Sequence, residues 1–448
     1  MPASPADSAL YARLFNDEDT ARLFTDSAEI RAMLLVEGAL ARVQGDLGLI
    51  PAGAAAFLHR AAAEVQIDPA ALAVETAANG VPVPALVAAF RKACGAPDHA
   101  QFLHWGATSQ DIMDSALALR LRRMLDLWAL RLDGLLAALA TLAETHADLP
   151  MAARTYGQIA TPTTFGAVVA GWGWPLIGLR DDLPRLRDRV AVLSLSGAAG
   201  TLSAMGAQGP AVRAALAEAL DLRDPGHSWH SDRTGMADLA GFLARLAGTL
   251  GKLGEDLIMA SQSGLAEMGL GGGGASSTMP QKQNPVGPSV LVALARQAMA
   301  LAGVMQGAQI HRQQRDGAAW FTEWLALPQL CIACGRMLGL AQDMAGRLAP
   351  DPAAMARGLD DGLGLIHAET LTFALARQMP RPQAQDIVKR LCATAQDTGQ
   401  PLVALVAQDY PGTDWAGDLA RHGAGQAPAE ARAFAARARA RANAPPHT

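Results

Sequence analysis

The clearest pattern along the chain is a leucine stripe that advances by alternating steps of 4 and 3. Leu121, Leu125, Trp128, Leu132, Leu135, Leu139 and Leu142 form one such stripe, and Leu239, Leu243, Leu246, Leu250, Leu253 and Leu257 form another. A period of about 3.5 residues puts one helix face against neighbours that lie nearly parallel to it. The stripes predict long helices over about 112–147 and from just after Arg233 to about Met268. Weaker periodicity predicts helices from a cap at Ser27 to Leu47, up to about Leu193, from Val286 to about Gln313, and from about Trp324 to Leu348. Gly241, Gly248, Gly251 and Gly254 lower helix propensity in the second stripe, which implies close approach by neighbouring helices. No strand alternation is evident.

These elements make an all-α chain of three helical domains. Residues 1–111 are a small, much-broken helical region, 112–350 a bundle of long helices, and 351–448 a set of shorter amphipathic helices. A helix of roughly 45 Å exceeds what one small domain covers, so the central bundle is expected to be shared between subunits. Composition agrees: aromatics are only 5%, and Ala and Leu, both strong helix formers, dominate. The net charge of −5, with no basic run, argues against nucleic acid. Val286–Met305 is apolar but carries Arg296 and Gln297, a poor membrane span. The N-terminus has no basic stretch leading into an apolar one, so a soluble, cytoplasmic protein is expected. Cys331 and Cys334 form a CxxC without the second pair that a zinc site needs, so no metal or redox role is expected of them.

Candidate chemistry lies in three polar loops. The first, GGGGASSTMPQKQNPVGP from Gly271 to Pro288, offers hydroxyls, a carboxamide, free N–H groups and Lys282, one of four lysines in the chain. That set suits a carboxylate or a developing oxyanion; the alternative is a solvated linker. Ser276 or Ser277 is a candidate base, with Met279 and Asn284 beside them. The second, HWGATSQD at 104–111, offers His104 for proton transfer or anion binding. Its Thr108 and Ser109 suit a carboxylate and equally suit a helix cap. The third, MAARTYGQIATPTTFG at 151–166, offers Arg154 for a bidentate carboxylate contact, with Tyr156, Gln158 and Thr163. There is no GxSxG elbow and no phosphate loop.

SSTMPQKQNP at 276–285 resembles the SSxMPxKxNP signature of the fumarase/aspartase superfamily. The 104–111 and 154–166 segments resemble its other two shared regions, in family order. Within it the chain is most similar to the carboxymuconate cycloisomerases, through Trp105, SGAAGT at 196–201, WHSDR at 229–233 and EWLALP at 323–328. Tyr156 stands where the lyases usually carry histidine and bacterial cycloisomerases tryptophan. Ala275, Gln281, Gln283 and Thr234 also depart from the usual pattern. The resemblance implies a homotetramer whose sites draw on three subunits, no cofactor, and a di- or tricarboxylate substrate. It implies lactonisation next to a carboxylate, with Ser276 moving the proton and Lys282 and Asn284 holding the developing charge. His104, Thr108, Ser109 and Arg154 would hold carboxylates. The rival expectations are a C–N lyase that releases fumarate and a catalytically silent scaffold.

Overall fold

The structure, a computed structural model, describes residues 4–272, 274–275, 279, 282–359 and 362–442. Its longer helices are α1 (Asp26–Asp46), α2 (Ala52–Glu64), α3 (Val83–Cys94), α4 (Ser109–Thr145), α5 (Phe165–Val190), α6 (Gly209–Leu220), α7 (Thr234–Ala260), α8 (Val286–Gly307), α9 (Gly317–Ala345), α10 (Arg381–Thr398) and α11 (Ala427–Ala442). The fold is all-α apart from one hairpin and two-residue strand pairs. Both leucine stripes face inward: Leu121 through Leu139 on α4 and all six leucines on α7 are buried. With 37 residues, α4 runs about 55 Å. Two α7 glycines, Gly248 and Gly254, meet a neighbour. A Cβ on Gly254 would sit 2.9 Å from the Pro288 carbonyl, and one on Gly248 would sit 3.0 Å from Met299.

Element ends move where side chains compete with the expected periodicity. Thr25, not Ser27, caps α1, its hydroxyl accepting from the Ala28 N–H at 3.2 Å. α7 stops at Ala260 rather than near Met268, because the Ser261 hydroxyl turns back on the Leu257 carbonyl and the chain then passes through left-handed Gly264 and Ala266. α8 ends at Gly307, short of Gln313. α9 starts at Gly317, ahead of Trp324, because Asp316 accepts from the Ala318 N–H at 2.9 Å and caps it.

The largest departure is the 151–166 segment. It forms an antiparallel hairpin, β1 (Pro150–Thr155) with β2 (Gln158–Thr164), where only a loop was expected. Thr155 pairs with Gln158, so Tyr156 and Gly157 are the whole turn. Both have positive φ, 51° and 74°, as a type I′ turn requires. A two-stranded ribbon consists only of edges, and that accommodates Pro162.

Contacts divide the chain into two compact units. One comprises Met1–Arg131, Leu179–Gly248 and Leu294–Gly339, the other Leu132–Gly178, Thr249–Ala293 and Leu340–Thr448. The first has a core built on α1, α2 and α3, with Leu193, Leu216 and Trp320. There α1 approaches α2 closely: Cβ atoms on Gly38 and Gly45 would meet those of Ala62 and Ala55 at 2.6 and 2.2 Å. The second has a smaller core from Leu371 to Trp415. Helices α8 and α9 have the length and apolar composition to cross a membrane. Half and 61% of their apolar windows are buried, as in interior helices of globular proteins.

Candidate functional site

In the first unit the chemistry begins at the N-terminus of α4. Asp111, the third residue of the helix, accepts from the Thr108 N–H at 3.0 Å, which is half of a capping box. The same buried carboxylate accepts from Ser196 N–H (2.8 Å), Gly197 N–H (2.9 Å), Ser194 Oγ (3.3 Å) and His230 Nε2 (2.8 Å). One side chain thus joins the 104–111, 196–201 and 229–233 segments. Three residues on, Asp114 accepts two bonds from Arg233 (2.7 and 3.2 Å), and Glu323 accepts two more (2.7 and 2.5 Å). Arg233 is fully buried, lies between the two carboxylates and stacks on Trp229 with its guanidinium carbon 4.7 Å from the ring centre. Burial works against the guanidinium, but the two charges outweigh it and raise its pKa. Burial also pushes Glu323 up, reinforced by Asp114, although Arg233 pulls the other way. Gln110 links the two clusters, donating to Asp114 at 3.1 Å and to the His230 carbonyl at 2.9 Å.

His104 borders this network. Its backbone is left-handed, φ 64°, and Nδ1 lies 2.6 Å from Glu37 Oε1 on α1. A carboxylate only accepts, so Nδ1 carries the hydrogen. Burial disfavours the imidazolium, yet the charge and hydrogen bond of Glu37, with Asp111 nearby, outweigh burial and the opposing Arg91, and raise the pKa of His104. The Thr108 hydroxyl accepts from Arg315 Nη1 at 2.8 Å, so its own proton remains to donate. Ser109 opens α4.

In the second unit, Arg154 on β1 is bidentate to buried Glu267, with both contacts at 2.8 Å. Its fork is engaged within the protomer, in a hairpin packed against the short helix Pro352–Leu359. A Cβ on Gly358 would sit 3.0 Å from Glu267 and 3.5 Å from Arg154. Tyr156, at the hairpin tip, is fully exposed. Gln158 is exposed and Thr163 half-buried on β2. The glycine-rich segment is narrowed at its base by a two-residue ladder, Gly274 with Asn284 and Ala275 with Gln283. Lys282 is exposed, and its N–H donates to the Met279 carbonyl at 3.0 Å. Ser276 and Ser277 lie outside the described residues. The candidates therefore divide between the units: His104, Thr108 and Ser109 in the first, and Arg154, Tyr156, Gln158, Thr163, Met279, Lys282 and Asn284 in the second.

Sequence reasoning assigned no role to Glu37, Asp111, Asp114, His230, Arg233, Glu267, Arg315 or Glu323. A signal existed for Glu37, a lone acid in the apolar run MLLVEGALA at 33–41. It existed too for Arg233 and Glu323, each inside a singled-out motif. Cys331 and Cys334 are buried in α9, where burial pushes the Cys334 thiol up to about 12 and raises Cys331 as well. Such thiols are inert.

The four-segment polar network of the first unit and the SSTMPQKQNP signature string each point to one class. The chain belongs to the lyase family of the fumarase/aspartase superfamily, whose sequence profile matches residues 5–300. It is 39% identical over 415 residues to 3-carboxy-cis,cis-muconate cycloisomerase of Pseudomonas aeruginosa, covering 91% of this chain and 90% of that protein. The crystal structure of 3-carboxy-cis,cis-muconate lactonizing enzyme from Pseudomonas putida superposes with TM-score 0.90 at 34% identity, covering 97% of this chain and 99% of that one. A fumarate lyase from Mesorhizobium sp. BNC1 superposes with TM-score 0.88 at 34% identity, covering 94% of this chain and 98% of that one.

Proposed function

We propose that the protein is a cycloisomerase that interconverts 3-carboxy-cis,cis-muconate and a carboxymuconolactone in protocatechuate breakdown. The observation that carries this reading is the meeting of the 104–111, 196–201, 229–233 and 323–328 motifs in one buried network, joined through Asp111, Gln110, Asp114 and Arg233. These are the segments in which the chain resembles the cycloisomerases, and two of the three relatives named above carry that activity in their names.

Ring closure forms a bond from a substrate carboxylate oxygen to one alkene carbon and puts a proton on the other, next to a second carboxylate. Ring opening removes that proton and expels the carboxylate. Both directions pass through an electron-rich, aci-carboxylate-like species that needs preorganised donors. In this reading Ser276 moves the proton, and Lys282, Asn284 and loop N–H groups hold the charge. His104, Thr108 and Ser109 hold carboxylates, and Arg154 would join them only by exchanging Glu267 for the substrate. Gln158, Thr163, Ser277 and Met279 line the site, and Tyr156 lines it or assists proton transfer. The active unit is a cytoplasmic homotetramer of three-domain subunits (1–111, 112–350 and 351–448), each site drawing on three of them.

The test is spectrophotometric. Purified protein should bleach the conjugated-diene absorbance of 3-carboxymuconate, and Ser276→Ala should lose that activity with an unchanged circular dichroism spectrum. An inert 3-carboxymuconate, with fumarate released from adenylosuccinate, would establish the C–N lyase instead.

A further inference from the structure

Helix α1 carries two buried polar side chains one heptad apart, Glu37 and Gln44, on a helix that is otherwise largely apolar where it is buried. At the residues after them, Gly38 and Gly45, α2 packs too close to admit a Cβ, so the two pairs serve different faces. Glu37 reaches His104 at 2.6 Å, and Gln44 donates to the Trp105 carbonyl at 2.7 Å. The two contacts pin consecutive residues of the 104–111 segment. Between them they hold His104 in a left-handed conformation, one that costs a non-glycine residue about 1 kcal/mol or more and persists only where its surroundings over-determine it.

This arrangement is a poor way to stabilise a fold. Glu37 is 1% exposed, and among the described residues its Oε2, like Gln44 Oε1, has no hydrogen-bond partner. A buried polar atom left unsatisfied costs about 1–3 kcal/mol, and an apolar residue of similar size would avoid that cost. We propose that Glu37 is a positioning residue for the reaction: it fixes His104 with the hydrogen on Nδ1 and presents Nε2 to a carboxylate of the substrate. The ring retains 21% exposure, enough for one such contact.

The charged groups facing the ring come from three helices. Glu37 on α1 and Asp111 on α4 favour the imidazolium, and Arg91 on α3 opposes it. Because the folded pKa of His104 is raised, the pair's contribution to stability is complete below the unfolded value and is lost as pH rises through the folded one. Anion binding at Nε2 weakens over that same upper interval.

Only the identity of the anion rests on the cycloisomerase reading, so the test has a readout that needs no turnover. Histidines are labelled with 15N, and His104 is assigned by its loss in His104→Gln. In the wild-type protein the ring should titrate above the ordinary midpoint of about 6.5 and carry Nδ1–H when neutral. Glu37→Gln should titrate at lower pH. Its KM for 3-carboxymuconate above neutral pH should rise roughly tenfold while kcat changes much less, as expected for loss of a charge-assisted contact made before the transition state. A Glu37→Gln titration that matches wild type overturns the proposal. If that variant does not fold, a wild-type midpoint at or below the ordinary value, or a neutral ring protonated on Nε2, overturns it equally. Inert 3-carboxymuconate beside a shifted titration would overturn the substrate and leave the role of Glu37 standing.

Discussion

Arg233→Met removes one charge and strands two. Arg233 is fully buried between Asp114 and Glu323, with four hydrogen bonds of 2.5–3.2 Å. Breaking a buried ion pair by deleting one partner costs about 3–5 kcal/mol, because the remaining charge stays desolvated. The stacking on Trp229 adds about 0.5–2 kcal/mol. In a unit of this size 1 kcal/mol moves the melting temperature by about 2–4 °C, so a fall of roughly 7–28 °C is expected at pH 8. The fall should be smaller at pH 5. Glu323 is already pushed up by burial, and without Arg233 it protonates more readily. A carboxyl with a raised folded pKa stabilises below its unfolded pKa and loses that contribution as pH rises through the folded value. The discriminating control is Arg233→Met with Asp114→Leu and Glu323→Leu, which removes all three charges and should recover most of the loss. Thermal melts at fixed scan rate and urea unfolding, each at both pH values, provide the measurement. If the single variant melts within about 2 °C of the parent at pH 8, or the triple variant is no better than the single, the reasoning fails.

Two further outcomes follow from the hairpin and the packing of α5. Tyr156→Asn should stabilise the protein by about 0.5–1 kcal/mol, because asparagine tolerates positive φ and Asn-Gly is a favoured type I′ turn, while turnover of 3-carboxymuconate falls; a variant that is both unchanged in stability and fully active would count against the assignment of Tyr156. Gly166→Ala should cost at least 1–3 kcal/mol, roughly the range for overpacking, since its Cβ would lie 2.4 Å from the Ala143 carbonyl and 2.7 Å from Ala147 Cα, both backbone atoms; a melting temperature equal to wild type would show that the helix ends shift freely there.

The long helices were legible because their signal repeats: six leucines of α7 obey one period, and all six are buried. The hairpin was not, because its turn is Tyr-Gly rather than Asn-Gly and Pro162 interrupts the second strand. Its geometry comes from backbone pairing, which leaves little trace in so short a segment. All four motifs in the buried network were visible as strings. That His230 reaches Asp111 and Arg233 reaches Glu323 was not, since those pairs are 119 and 90 residues apart. Periodicity reports which face of an element is buried, and says nothing about which distant polar group will be found there. The glycine-rich loop was singled out by composition and then by resemblance, and its two serines lie outside the described residues.

Asp111 has a further consequence, for the order in which the chain folds. Its contact with Thr108 spans three residues and can form as soon as α4 nucleates. Its contacts with Ser194 and His230 close loops of 83 and 119 residues, and the entropy of closure must be met before either contact contributes. One carboxylate therefore serves first as a local start signal for a helix and later as the meeting point of remote segments. Asp111→Asn, which keeps the shape and removes the charge, should accordingly accelerate unfolding far more than it slows refolding, and stopped-flow measurement of both rates would reveal the opposite if the remote contacts form early.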